Sequence, residues 1–94
     1  MNVTTRTEGR ITSTYLTDEH RQRRIDVAGL EDGRTLVNIS DRWMPGADVA
    51  DDREYVFLDA AKAQAFADLM ATEADVLAAF DRHVARARRA LRQF

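Results

Sequence analysis

The sequence contains no cysteine, which excludes a disulfide framework, a thiolate zinc site and a thiol nucleophile. Proline occurs once, at Pro45, and glycine is scarce, so few positions can break a regular element. No run approaches the roughly 18 apolar residues that a membrane helix needs. The opening stretch MNVTTRTEGR also lacks the apolar centre of a secretory signal. No membrane association and a cytoplasmic location are therefore expected. The chain has 94 residues, and one of that size buries only about 60 to 65% of the surface its unfolded form exposes, so a large enclosed active-site cavity is not expected.

The residues of catalysis are thinly represented as well. Ser13 and Ser40 fall in strand-like stretches with no glycine-flanked elbow to expose an activated hydroxyl. The imidazoles, His20 and His83, lack the spacing of helical zinc pairs, and no glycine-rich loop is present to cradle a phosphate. Asp48, Asp51, Asp52 and Glu54 lie close together, but the alternating acids and central glycine of a calcium loop are missing, so a solvated acidic loop is the expectation. Neither an enzyme nor a cofactor or metal is expected.

What the chain does have is arginine. Lys62 is the one lysine, and this usage, with abundant alanine, is that of a GC-rich coding sequence, as in a bacterium or its phage. The net charge of -2 hides an uneven distribution: residues 82–94 carry Arg82, Arg86, Arg88, Arg89 and Arg92 and no acid.

Alternation of apolar and polar residues predicts four strands: ITSTYL from Ile11, QRRIDVA from Gln22, RTLVNIS from Arg34 and REYVFL from Arg53. In the second, Arg23, Ile25 and Val27 share a side. The third is the most apolar and so the expected central strand. Asp32-Gly33 predicts a tight hairpin, and Pro45-Gly46 ends the ladder before an irregular loop. Residues 1–9 read as a flexible terminus, 10–58 as a sheet and 59–93 as helix capped by Asp59, since no glycine or proline follows Leu58. The expected architecture is a single α+β domain, a four-stranded antiparallel meander followed by one long or two consecutive helices.

Both helical arrangements have a basis in the sequence. Thr72-Glu73-Ala74-Asp75 matches the threonine-x-x-acid box that begins helices, which places a break there. Phe66, Met70, Leu77, Phe80, Val84 and Leu91 fall instead on a heptad seam through the whole segment, interrupted at Glu73. A continuous helix would be about 50 Å long. It would overhang a globule roughly 30 Å across and leave its apolar seam for a second copy. A homodimer through that seam is expected.

The candidate contact residues are basic and aromatic. Arg82, Arg86 and Arg89 share one face of a helix, where they form either a solvated row that favours the helix C-terminus or a contact with an anion or partner. Tyr15, Arg23, Arg24, Arg34, Arg42 and Trp43 are candidates for a sheet surface on which bases stack while arginines hold the backbone. The reading from composition is a non-enzymatic regulatory or interaction module with a protein partner; single-stranded nucleic-acid binding is the alternative.

The stretch TLVNISDRWMPGADVADDREYVFLDAAKAQAFADLM, residues 35–70, resembles the second half of the positive-cofactor-four-like single-stranded-DNA-binding coactivators. There a strand ending in an aromatic cluster, here NISDRW, leads through a variable loop to a short apolar strand and a helix, here YVFLDAAKAQAFADLM. The resemblance implies a dimer through the helices and a curved sheet gripping unpaired nucleic acid, with Trp43 and Arg42 as the residues that carry over. The acidic loop, the near absence of lysine and the helical extension after Ala71 depart from that family.

Overall fold

The computed structural model describes residues 1–43 and 50–92. They form β1 (Asn2–Glu8), β2 (Ile11–Thr17), β3 (Arg21–Gly29), β4 (Thr35–Trp43), β5 (Ala50–Phe57), α1 (Ala60–Met70) and α2 (Glu73–Arg92). The strands make one antiparallel sheet in the order β1-β2-β3-β4-β5, and both helices follow it.

The sheet has a strand more than expected. Residues 2–8, read as part of a flexible terminus, form β1, joined to β2 by the two-residue loop Gly9-Arg10. Gly9 has φ of 57°, and Arg10 is not among the positive-φ residues, which is the φ pattern of a II′ hairpin. Threonine-rich NVTTRTE suits a pleated surface but lacks apolar alternation, because every residue of β1 is exposed. The most apolar strand, β4, is interior, but β3 stands at the centre of the order. Gly33, at φ 88°, turns β3 into β4 as the Asp-Gly pair predicts. Pro45 and Gly46 lie outside the described residues.

Residues paired directly across an antiparallel ladder share a face. One face carries Leu16 on β2, Arg23 and Ile25 on β3, Val37, Ile39 and Asp41 on β4, and Tyr55 and Phe57 on β5. The helices cover this face over β3 to β5, burying Ala63, Ala67, Val76 and Phe80 against Leu16, Ile25, Val37 and Ile39. The other face is open, and polar except for a row at one end.

The chain after Leu58 is two helices. Asp59 caps α1, its carboxylate accepting from the amides of Ala61 at 2.8 Å and Lys62 at 3.4 Å. At the break, the Thr72 hydroxyl accepts from the Asp75 amide at 3.3 Å, which is one half of the expected box. The other half is absent because the Asp75 carboxylate is turned to Arg23.

This break divides the predicted seam. Phe66 packs with tilted rings against Tyr55 and Phe57, centroids at 4.8 and 5.4 Å, Met70 packs on the core, and Phe80 is buried. All three pack against their own sheet: Phe80 is buried, and Phe66 and Met70 are half-buried. Leu77 is 36% exposed, Val84 half-buried and Leu91 74% exposed. Every residue from Ala85 to Arg92 is exposed, so the second half of α2 extends past the sheet. The longest dimension is accordingly 49 Å, against 25 and 21 Å across. Among the described residues, no helix is long and apolar enough to cross a membrane.

Candidate functional site

Arg23, expected on a contact surface, is instead fully buried. It shares the inner face with Ile25 and Val27, as the alternation gives, but that face is the one the helices cover. Its guanidinium holds Asp41 in a paired grip, Nε to Oδ1 at 2.6 Å and Nη2 to Oδ2 at 2.8 Å. Nη1 donates to the Met70 carbonyl at 2.7 Å and to the Asp75 carboxylate. One side chain thus ties β3 to β4, to the last turn of α1 and to the first turn of α2. Burial alone would lower the Arg23 pKa, but its bonds to Asp41 and Asp75 outweigh this, and the net direction is upward. Arg23 is therefore a charged structural clasp with no surface left for a partner. An arginine and an aspartate at inward positions of adjoining strands were the sequence signal for this pair.

A second cluster borders the clasp. Donor atoms of Asp41, Asp51 and His83 lie within 4.8 Å of one another. Two carboxylates and an imidazole are a reasonable ligand set for a divalent ion. Here, however, both oxygens of Asp41 already accept from Arg23, and Arg53 Nη2 donates to Oδ2 at 3.2 Å. A dication would sit against two guanidinium groups, so the arrangement fits an ion-pair network and not a metal centre. The acidic loop itself is split by strand alternation: Asp51 faces the helices, while Asp52 and Glu54 face the open side. Asp48 lies outside the described residues.

Trp43 faces the helices as well. It is the second in a run of four rings: His20 at 6.1 Å, Phe80 at 5.8 Å, and then His83 5.8 Å beyond Phe80. Next to it opens an apolar groove of about 200 Å³, lined by Trp43, His83, Val84, Ala87, Arg88 and Leu91. Arg42, the neighbouring residue on the strand, points to the opposite side. Trp43 and Arg42 therefore lie on opposite faces of the sheet.

On the open face, Tyr15, Gln22, Arg24, Ser40, Arg42 and Asp52 border a polar concavity of about 240 Å³. Arg24 lies over the Tyr15 ring, 5.5 Å from its centroid, and its Nε donates to Asp26 at 2.9 Å. Ser13, which is buried, also donates to Asp26, at 2.6 Å. The bond to Asp26 raises the Arg24 pKa. Of the sheet candidates for nucleic acid, Tyr15, Arg24 and Arg42 are brought together, with Asp26 and Asp52 offsetting their charge. Arg34 stands apart in the β3–β4 turn, where Nε donates to Asp32 at 2.6 Å. At one end of the same face Ile11, Ala28, Leu36 and Val56 form a cross-strand apolar row, with Ile11 45% and Val56 52% exposed.

On α2, Arg82, Arg86 and Arg89 are exposed and line a shared patch of the helix surface. They lie on the side away from Val84, Ala87 and Leu91. No protein-family model, curated protein or solved structure matches this chain.

Proposed function

We propose that this chain is a non-enzymatic interaction module that self-associates and presents its surfaces to a protein partner. Its principal contact surface is the half of α2 beyond the sheet. The observation that carries this reading is the course of the apolar stripe on that helix. Val76 and Phe80 are buried beneath the sheet, and the same stripe continues through Val84, Ala87 and Leu91 after the sheet has ended. Burying an aliphatic side chain of this kind is worth about 1.5 to 3 kcal/mol. An amphipathic helix with an uncovered apolar face and the indole of Trp43 beside it suits helix-in-groove or helix-on-helix recognition.

Solution mass from light scattering tests it directly. The parent chain is expected above the mass of one copy, and Leu91→Glu at one copy with unchanged circular dichroism. A parent that stays at one copy and retains its mass with Leu91→Glu would remove self-association. Loss of association with Val56→Glu in place of Leu91→Glu would move the surface to the open face of the sheet.

A second reading, single-stranded nucleic-acid binding, is favoured by one observation: Arg24 over Tyr15 with Arg42 in the same concavity. The resemblance to the positive-cofactor-four-like coactivators belongs to this reading as a proposal. Trp43 faces away from that concavity, so its fluorescence is a poor reporter, and anisotropy of a labelled oligonucleotide is the suitable assay. Binding that weakens steeply with salt and is lost in Arg24→Ala/Arg42→Ala would support it.

A further inference from the structure

We infer that the partner of the exposed half of α2 is a second copy of this chain, docked with its own α2 antiparallel. This inference rests on the reading of that half-helix as the surface of self-association and adds the register and direction in which the two copies meet. At about 100° per residue, Phe80, Val84, Ala87 and Leu91 fall within an arc of about 60°, and their spacing of four, three and four is that of a coiled-coil seam. The lower end of the seam is closed by the chain's own Trp43 on Phe80, at 5.8 Å. The upper end is open, with Leu91 74% exposed.

The flanks of the seam choose the direction. One flank holds His83, which is turned to Asp41 and Asp51 of its own sheet. The other holds Asp81 and Arg88, two helical turns apart and both exposed. In an antiparallel pair with Val84 facing Ala87 of the second copy, Asp81 comes alongside the second copy's Arg88, and symmetry repeats the contact. The second copy's Leu91 then comes level with Phe80, at the groove between Trp43 and Val84. A parallel pair would instead set arginine-rich ends side by side and align the two helix dipoles, both unfavourable. Arg82, Arg86 and Arg89, on the far side, remain in solvent in the antiparallel pair. The acid and the base that complement each other are carried on one flank of one helix, so a two-fold pair can use both of them twice.

Sedimentation equilibrium on the full chain tests the pairing, with parent, Leu91→Glu, Arg88→Asp and the charge-exchanged Asp81→Arg/Arg88→Asp variant compared at equal concentrations. Circular dichroism verifies the fold of each. The dimer is expected in the parent and lost in Leu91→Glu. Arg88→Asp sets acid against acid twice and should weaken the dimer at least about tenfold, and exchanging both charges should restore it. If Leu91→Glu dissociates the dimer while Arg88→Asp leaves its affinity unchanged, the antiparallel register is wrong and the contact surface stands. If the dimer survives Leu91→Glu, or the parent has no dimer at any concentration reached, the second copy is not the occupant of α2.

Discussion

Replacing Arg23 with methionine removes the guanidinium and keeps an unbranched stem in its place. Asp41, fully buried, then loses two of its three donors among the described residues and keeps Arg53 at 3.2 Å. Breaking a buried pair from one side costs about 3 to 5 kcal/mol. The surviving Arg53 bond places this site near the lower end, at about 3 kcal/mol, and the orphaned Met70 carbonyl adds about 1 kcal/mol. Against a total stability of about 5 to 15 kcal/mol, that is a large fraction. For a domain of this size it lowers Tm by about 15 to 25 °C. Asp75→Asn should cost only about 1 kcal/mol, because that side chain is 29% exposed and water can replace it, while Arg23 keeps Asp41. In Arg23→Met/Asp41→Leu both buried charges are gone, and at least about half of the loss should return. Thermal and urea unfolding followed by circular dichroism give all three values. An Arg23→Met variant within about 1 kcal/mol of the parent, or a double variant less stable than the two single losses combined, would refute the buried clasp.

Three further outcomes follow from the same geometry. The Asp18 carboxyl is held down, from 3.8 to about 2, chiefly by the Arg21 side chain and then by the His20 amide. A carboxyl depressed in the fold stabilises it fully above the unfolded value and loses that contribution as pH falls through the folded one. Titration by carboxyl carbon NMR should therefore place the Asp18 midpoint near 2, and Arg21→Ala should return it toward 3.8. Thr72→Ala removes the acceptor of the Asp75 amide and should cost about 1 kcal/mol in urea unfolding. Gly33→Ala meets no atom within 4 Å but must hold φ at 88°, so its loss of about 1 to 2 kcal/mol is backbone strain alone, and a larger loss would mean that the turn is packed.

Much of the fold was legible because its signals are local. A period of two marked β2 to β5, Asp32-Gly33 marked a hairpin, and Asp59 and Thr72 marked two helix starts through amides two or three residues away. That Arg23, Ile25 and Val27 share a side was readable, but not that this side is the covered one. β1 was not, because a strand with every residue exposed has no apolar alternation; it is held by its ladder to β2. The site was less legible than the fold. Arginines looked alike in sequence, yet Arg23 is buried in a clasp, Arg34 is held by its own turn, and Arg24 and Arg42 share the open face.

Chain order and side-chain chemistry alone determined four of the five strands, the helical stretch after Asp59, and which residues of a strand share a side. Tertiary structure decided which side the helices cover and how far that cover reaches. Covering β3 to β5 on the Arg23 side turned a candidate contact residue into a clasp and put Trp43 and Arg42 on opposite faces. Ending the sheet near Trp43 divided one apparent seam into a buried part, through Phe80, and an uncovered part, through Leu91. The reason is that periodicity records the direction of each side chain relative to its neighbours along one element, whereas burial depends on which other element arrives there.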